Sequence, residues 1–386
     1  MSFFGNSAIN RANLHSGVQA FAQAAGGVFV LVFLLKAGVS VPLTLCAQAA
    51  WVAQRFLLRP FVLPLARRVG LRRTVIAGTV LEAAVFPIVA RVQGLDGWFV
   101  ALLLVAPIGS VLYWTCYHAY FASLGDEAHR GGQVGAREAL NALMGVVAPL
   151  IGAWMLVTWG PQPAFWVVAA LQTAAALPLL GAPDVAIARE APGGFRAALL
   201  GATLMATDGW FAACWYYVWQ IALFVTLKQS FSAYGGAMAL AALVGAVGGL
   251  TIGRRIDMGH GRAALAVAYG GAGLVTLVKA ASLGWPWLAV GANALAAVSA
   301  ALVIPALMTP IYNLAKVSPC PLRFHIATEG GWDLGCGLGC LAAAGTVALG
   351  GSLAAPILLS FVGAAVAFGL LWRRYGEVAA AAAAAP

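Results

Sequence analysis

Apolar runs of about membrane-crossing length recur along the entire chain and leave little room for anything else. Of 386 residues 62% are hydrophobic and only 9% are charged, against about 25% charged in ordinary soluble domains. Too few charges remain to cover a soluble surface, which excludes an ordinary soluble enzyme. About 20 apolar residues suffice for one helical crossing, and Gly/Pro and polar punctuation divides the chain into twelve predicted spans. They fall at 16–36, 42–63, 74–91, 98–121, 136–158, 164–182, 199–224, 234–253, 264–282, 287–311, 326–348 and 354–372. The net charge of +10 does not indicate a nucleic-acid partner, because Lys and Arg are scattered in small groups between apolar runs. The lipid bilayer is the partner this composition requires.

The scattered cations carry orientation instead. Arg67, Arg68, Arg72, Arg73, Arg254, Arg255, Arg262, Arg373 and Arg374 fall on one side of the spans, whereas Lys36, Arg91, Lys228 and Lys279 fall on the other. Arg55 and Arg59 lie inside the second span and count for neither. The positive-inside rule then predicts that both termini are cytoplasmic. The first apolar run starts near Gly17 and continues past Leu35, so it is expected to be a retained helix rather than a cleaved signal. The six cysteines form no CxxC pair and mostly fall within apolar runs, so no disulfide framework is expected.

An internal repeat organises the spans. Leu35-Lys36 and Ser40 recur 192 residues later as Leu227-Lys228 and Ser232, and Glu138 and Glu329 are 191 apart. A shift of half the chain predicts a parallel six-helix duplication. Its parts are an N-terminal bundle at 1–183, a cytoplasmic linker at 184–194, a C-terminal bundle at 195–378 and a low-complexity alanine tail at 379–386.

The loop after the second span of each half is the most informative segment. The first copy reads LARRVGLRR from Leu65, and the second reads GRRIDMGHGR from Gly253. Each combines a glycine turn with cations at helix ends, where they favour the helix dipole and the inner surface. These segments resemble the signature loop of the major facilitator superfamily. The resemblance implies an all-α fold of twelve transmembrane helices in two six-helix repeats, working by alternating access. It also implies that Arg67, Arg68, Gly70, Arg72, Arg254, Arg255, Asp257, Gly261 and Arg262 form cytoplasmic gate loops. The family usually sets an acid before the basic pair. Asp257 fits that pattern, but Arg67 stands where the first-half acid is expected. A further segment, Ala148-Pro149-Leu150-Ile151-Gly152-Ala153, is similar to the fifth-helix motif of the drug-exporter-like branch, with Ala replacing both outer glycines. Its proline and small residues suit bending and close packing.

Function is sought among polar residues inside the spans, since an ionisable group at the bilayer centre costs about 2.5–3.5 kcal/mol and normally faces a cavity or a partner. Asp208, Glu329 and Asp333 are the candidates for proton coupling, and Asp208 is expected to face a central cavity. On the eleventh span, His325, Glu329, Asp333, Cys336 and Cys340 share one stripe about 22 Å long, at about 1.5 Å per residue. That length suits a relay better than one ion site, with Glu329 and Asp333 one turn apart and mutually repelling. In the plainer reading Glu329 pairs with Arg323 or Lys316 and the cysteines only fill space. Candidate solute-binding residues are Gln19, Gln23, Trp114, Tyr117, His118, Asn141, Trp210, Trp215 and Trp332, because amides hydrogen-bond and aromatic rings stack on ring-bearing or cationic solutes. Glu82 lies on the third span, peripheral in the family, and is expected to make a structural contact with Arg55 or Arg59.

No Walker loop, Gly-rich strand-to-helix turn or zinc-spaced His/Cys cluster occurs, so no cofactor and no enzymatic activity are expected. The resulting reading is a monomeric, proton-coupled secondary transporter of a small organic solute in a bacterial inner membrane, with export the favoured direction. Two alternatives stand beside it. One is uptake of a transition metal or its chelate through His325, Glu329, Asp333 and Cys336. The other is a scaffold of transporter shape that moves no solute, which a bundle without a solvent-connected cavity would favour.

Overall fold

The computed structural model describes residues 6–124, 130–187, 190–256 and 261–384, and within them it contains helices and no strands. They form twelve spans: α1 (Ser7–Lys36), α2 (41–69), α3 (71–89), α4 (Gly97–Leu124), α5 (Arg130–Thr158), α6 (Pro161–Leu180), α7 (Arg196–Thr226), α8 (Phe231–Ile256), α9 (Gly261–Ala281), α10 (Pro286–Lys316), α11 (Pro321–Ala348) and α12 (354–384). Nine of them, among the described residues, are long and apolar enough to cross a membrane. A helix satisfies its own backbone donors, which is what a spanning segment needs in hydrocarbon. The other three, α2, α3 and α11, hold Arg55 and Arg59, Glu82, and Glu329 and Asp333. Their charges lower their hydropathy and, as shown below, find partners inside the protein.

Several helices begin earlier than their apolar runs. α1 starts at Ser7 because the Asn6 side chain accepts from the backbone N–H groups of Ala8 and Ile9, both at 3.1 Å, which is an N-cap. α11 starts at Pro321, where the missing proline N–H would have no helical acceptor anyway. Polar first turns like these are invisible to a reading based on hydropathy.

Helices α1–α6 pack on one another, as do α7–α12, and the two groups meet along two seams, α2 against α11 and α5 against α8. At the end opposite the start of α1, an apolar plug crosses both groups. Phe29 of α1 meets Phe231 and Tyr234 of α8 at 6.1 and 5.7 Å between ring centroids, and the Tyr234 hydroxyl donates to the Val28 carbonyl.

Glycine spacing decides which face of α11 looks where. A Cβ on Gly331 or Gly335 would collide with the carbonyl of Ala202 or Ala206, and one on Gly339 would press on Ala213. This four-residue stripe lets α11 lie directly on α7. Glu329 and Asp333 are thereby turned towards α2.

Two local features were not expected. Residues Ala213–Tyr217 of α7 form a π-helical turn, a distortion that recurs at functional sites. Lys279, expected at the outer end of the ninth span, is instead 1% exposed. Its Nζ donates to the Trp215 carbonyl at 2.8 Å and sits 3.4 Å from the centre of the Trp215 ring. The aromatic face and the carbonyl of the π-turn together hold a cation that the sequence pattern placed outside.

Candidate functional site

A cavity of about 730 Å³ lies between the two groups of helices. Its wall includes Gln19 and Gln23 of α1, Arg55 of α2, Glu82 of α3, Trp114, Tyr117 and His118 of α4, Asn141 of α5, Tyr216, Tyr217 and Gln220 of α7, and Glu329 and Trp332 of α11. Seven of the expected solute-binding residues thus share one wall: Gln19, Gln23, Trp114, Tyr117, His118, Asn141 and Trp332. Trp210 and Trp215 do not. The Trp210 indole N–H donates to the Leu359 carbonyl at 2.8 Å, and Trp215 is buried between Phe211 and Lys279. The aromatic crowding on α7 runs around the whole helix, so only part of it reaches the cavity. Asn141 also bridges helices, since it accepts from the Ser16 hydroxyl at 3.2 Å.

Four charges meet at the α2–α11 seam. Arg59 is 2% exposed and Asp333 1%. The Arg59 guanidinium donates to Asp333 Oδ2 through both Nε, at 3.0 Å, and Nη2, and through Nη1 to the Thr115 hydroxyl at 2.8 Å. Arg55 reaches Asp333 at 3.2 Å and Glu329 at 3.5 Å, and Arg59 also approaches Glu329 at 4.0 Å. Two positive and two negative groups are therefore interleaved in a low-dielectric setting, where a paired charge is tolerated and a lone one is costly. This corrects the pairing that the plainer reading of the α11 stripe gave Glu329. Glu329 pairs across the seam with α2 rather than with Arg323 or Lys316, and the repulsion between Glu329 and Asp333 is offset by the two arginines.

Asp208 does not belong to the cavity wall, contrary to expectation. Its Oδ2 accepts from the Trp332 indole N–H at 3.1 Å, and the Trp332 ring in turn lies 5.6 Å from the Arg55 guanidinium. The three acids proposed for proton coupling are thus joined through Trp332 and Arg55, with Asp208 behind the indole.

Glu82 takes the place expected for Asp208. Gly78 and Gly109 bring the α3 and α4 backbones into direct contact, since a Cβ on either would press on the other helix, and this carries Glu82 into the cavity wall. Its Oε2 accepts from Gln19 Nε2 at 2.7 Å and Gln172 Nε2 at 3.2 Å. The expected contact with Arg55 or Arg59 is absent, because both arginines turn to α11. Treating α3 as peripheral concealed this residue.

The metal reading finds its ligands already engaged. Glu329 and Asp333 are paired with arginines, Cys336 packs with Cys340, Cys214, Ala49 and Val52, and the His325 ring stacks on His118 at 6.0 Å. Among the described residues no three His, Cys, Asp or Glu side chains converge as a metal site would need.

At the first gate loop Gly70 has φ +96°, a conformation glycine adopts freely. The acid missing from that loop is supplied by the linker: Asp184 Oδ1 accepts from the Arg72 backbone N–H at 2.9 Å, while the Arg72 guanidinium donates to the carbonyls of Leu180 and Ala182. Arg67 and Arg68 are exposed. At the second loop Arg262 is exposed and its Nε donates to the Trp372 carbonyl at 3.1 Å, and Gly261 opens α9. Asp257 and the side chains of Arg254 and Arg255 lie outside the described residues.

The profile of the Major Facilitator Superfamily matches residues 16–318. No curated protein matches the chain. Among solved structures, a POT family transporter in complex with 5-aminolevulinic acid is similar with a TM-score of 0.72 at 12% identity, over 96% of this chain and 96% of that one. The human organic anion transporter MFSD10 (TETRAN) gives 0.70 at 16%, over 95% and 99%. A bacterial homologue of the iron transporter ferroportin in an inward-facing state gives 0.66 at 13%, over 95% and 98%. At such identities what is shared is the fold.

Proposed function

The chain belongs to the Major Facilitator Superfamily, a family of secondary transporters and not of enzymes, and on that premise we propose that it moves a small organic solute by proton-coupled alternating access. The observation that carries this reading is the interleaved Arg55, Arg59, Glu329 and Asp333 cluster on the rim of a solute-sized cavity. If α2 and α11 part, buried charges are exposed singly, which is unfavourable. A proton on Asp333 or Glu329 weakens the pairing and lowers that cost. Arg55 belongs to both the cluster and the cavity wall, so a bound solute acts on the same equilibrium. Asp208 senses the cluster through Trp332.

The cavity itself argues against a scaffold. The small-residue motif of α5 supports export as the direction, and the distribution of Lys and Arg supports a bacterial inner membrane with cytoplasmic termini. We take the monomer as the working unit.

Reconstitution in liposomes with an imposed pH gradient tests the coupling. The wild type is expected to accumulate its solute against a gradient, and Asp333→Asn to retain only downhill exchange. Accumulation by Asp333→Asn equal to wild type would reject proton coupling through this seam. Orientation is tested separately with Ala186→Cys in the exposed linker, after accessible native cysteines are replaced. Labelling by an impermeant maleimide from outside intact cells would reverse the topology.

A further inference from the structure

The polar groups of the cavity are not equivalent. Arg55, Arg59, Glu329 and Asp333 compensate one another, two against two. Glu82 stands apart from them. It is 6% exposed and makes no ion pair among the described residues. Both amide N–H groups that reach it, from Gln19 and Gln172, converge on Oε2. Two donors on one oxygen suit an acceptor-only carboxylate. Among the described residues no donor reaches Oε1, and it belongs to a side chain in the cavity wall. A carboxylate oxygen that faces the cavity, on a side chain otherwise held by two amides, is a place for a donor carried by a ligand.

The surroundings define that ligand. Phe86, one turn along α3, and Tyr113 and Trp114 of α4 line the same cavity. Aromatic faces attract a positive charge and tolerate the apolar groups around it. Water or a metal ion gains little from such rings, and an anion would meet Glu82 unfavourably. Arg137, the other cation of the wall, is stacked on Phe121 at 4.6 Å.

From this we infer that Glu82, presented by Gln19 and Gln172 and flanked by Phe86, Tyr113 and Trp114, is the binding site for an organic cation, an ammonium or similar group carried on an apolar body. This inference rests on the transport reading and narrows its substrate class.

The test uses the full-length protein purified in detergent, with radiolabelled tetraphenylphosphonium as the probe and benzyltrimethylammonium, its neutral isostere neopentylbenzene, and phenylacetate as competitors. Saturable binding is expected, displaced by the ammonium far better than by the neutral isostere or the acid. Glu82→Gln keeps the shape and can still accept from Gln19, so its melting profile should match wild type while probe affinity falls about ten- to a hundredfold, the usual range for a lost charge-assisted contact. Glu82→Asp should retain part of the affinity. Unchanged binding by a folded Glu82→Gln variant overturns the inference, as does displacement by phenylacetate in preference to benzyltrimethylammonium. Either result leaves the transport reading in place, since that reading is decided by accumulation in liposomes rather than by ligand charge.

Discussion

The two seams that join the halves are built from opposite materials. Along α5–α8, Gly235 sits against the Pro149 carbonyl and the Ala153 methyl, and Gly145 faces Ala242, all uncharged and small. Along α2–α11 the contact holds an array of four charges, with Arg59 and Asp333 almost without access to solvent and Arg55 and Glu329 on the cavity wall. A seam of small residues loses only dispersion contacts when its helices slide or part, and it regains them on closing. The charged seam cannot part without a change in charge state or new partners. One seam can therefore serve as the sliding surface while the other decides when sliding is allowed.

The largest effect should come from unbalancing the charged seam. Asp333→Ala leaves Arg59 buried without its carboxylate and should cost about 3–5 kcal/mol, read as a loss of unfolding free energy in mixed micelles. Replacing both partners, Arg59→Met with Asp333→Leu, should restore most of that loss, because an apolar pair of similar volume is often as stable as a buried ion pair. If the double variant is no better than the single one, the charges are not coupled as the geometry implies.

At the apolar seam, Gly235→Leu should cost less, about 1–3 kcal/mol from overpacking, and its penalty should not vary between pH 5 and 8. A pH-dependent penalty would mean that the two seams are not separate in kind.

Outside the seams the effects shrink further. Asp184→Ala removes the acceptor for the Arg72 N–H at the start of α3 and should cost about 1 kcal/mol, as for a lost helix cap. A loss as large as that of Asp333→Ala would place the decisive charge at the loop instead.

The smallest effect is expected at Asp96 before α4. The Phe99 N–H from which it accepts, at 2.8 Å, and the Gln93 N–H hold its carboxyl below the usual range. A lowered acid stabilises the fold above its unfolded value of about 3.9, and that contribution is lost as pH falls through the folded value. Asp96→Asn should therefore lower stability slightly at neutral pH and leave it unchanged below the folded value, which flattens a small part of the acid limb of the stability curve.

The spans and the repeat were legible because hydropathy acts along one chain. The charge seam was half legible. Glu329 and Asp333 stand out as paired acids one turn apart, but Arg55 and Arg59, also one turn apart, read as counting for neither side of the membrane and as partners of Glu82. Matching four-residue spacings of opposite sign on two helices were the available signal. Which helices face each other is a tertiary fact, and the Gly331, Gly335 and Gly339 stripe that sets it records only closeness, not the partner. Glu82 was missed because the depth of α3 depends on Gly78 and Gly109, whose effect appears only once α4 lies against them. Lys279 was misplaced for a related reason: the carbonyl and ring that hold it belong to a π-turn with no pattern in the sequence.

Trp332 gives the charged seam an optical consequence. Its indole N–H is fixed by Asp208 at 3.1 Å and its ring lies 5.6 Å from the Arg55 guanidinium, so the chromophore sits between a negative and a positive charge. The emission energy of an indole follows the electric field across the ring. Any step that withdraws the guanidinium or neutralises the carboxylate should shift the colour of its fluorescence. The chain holds 13 tryptophans, and the difference spectrum between wild type and Trp332→Phe isolates this one. If the seam rearranges as the proposed alternating access requires, the step should be visible as light in unlabelled protein.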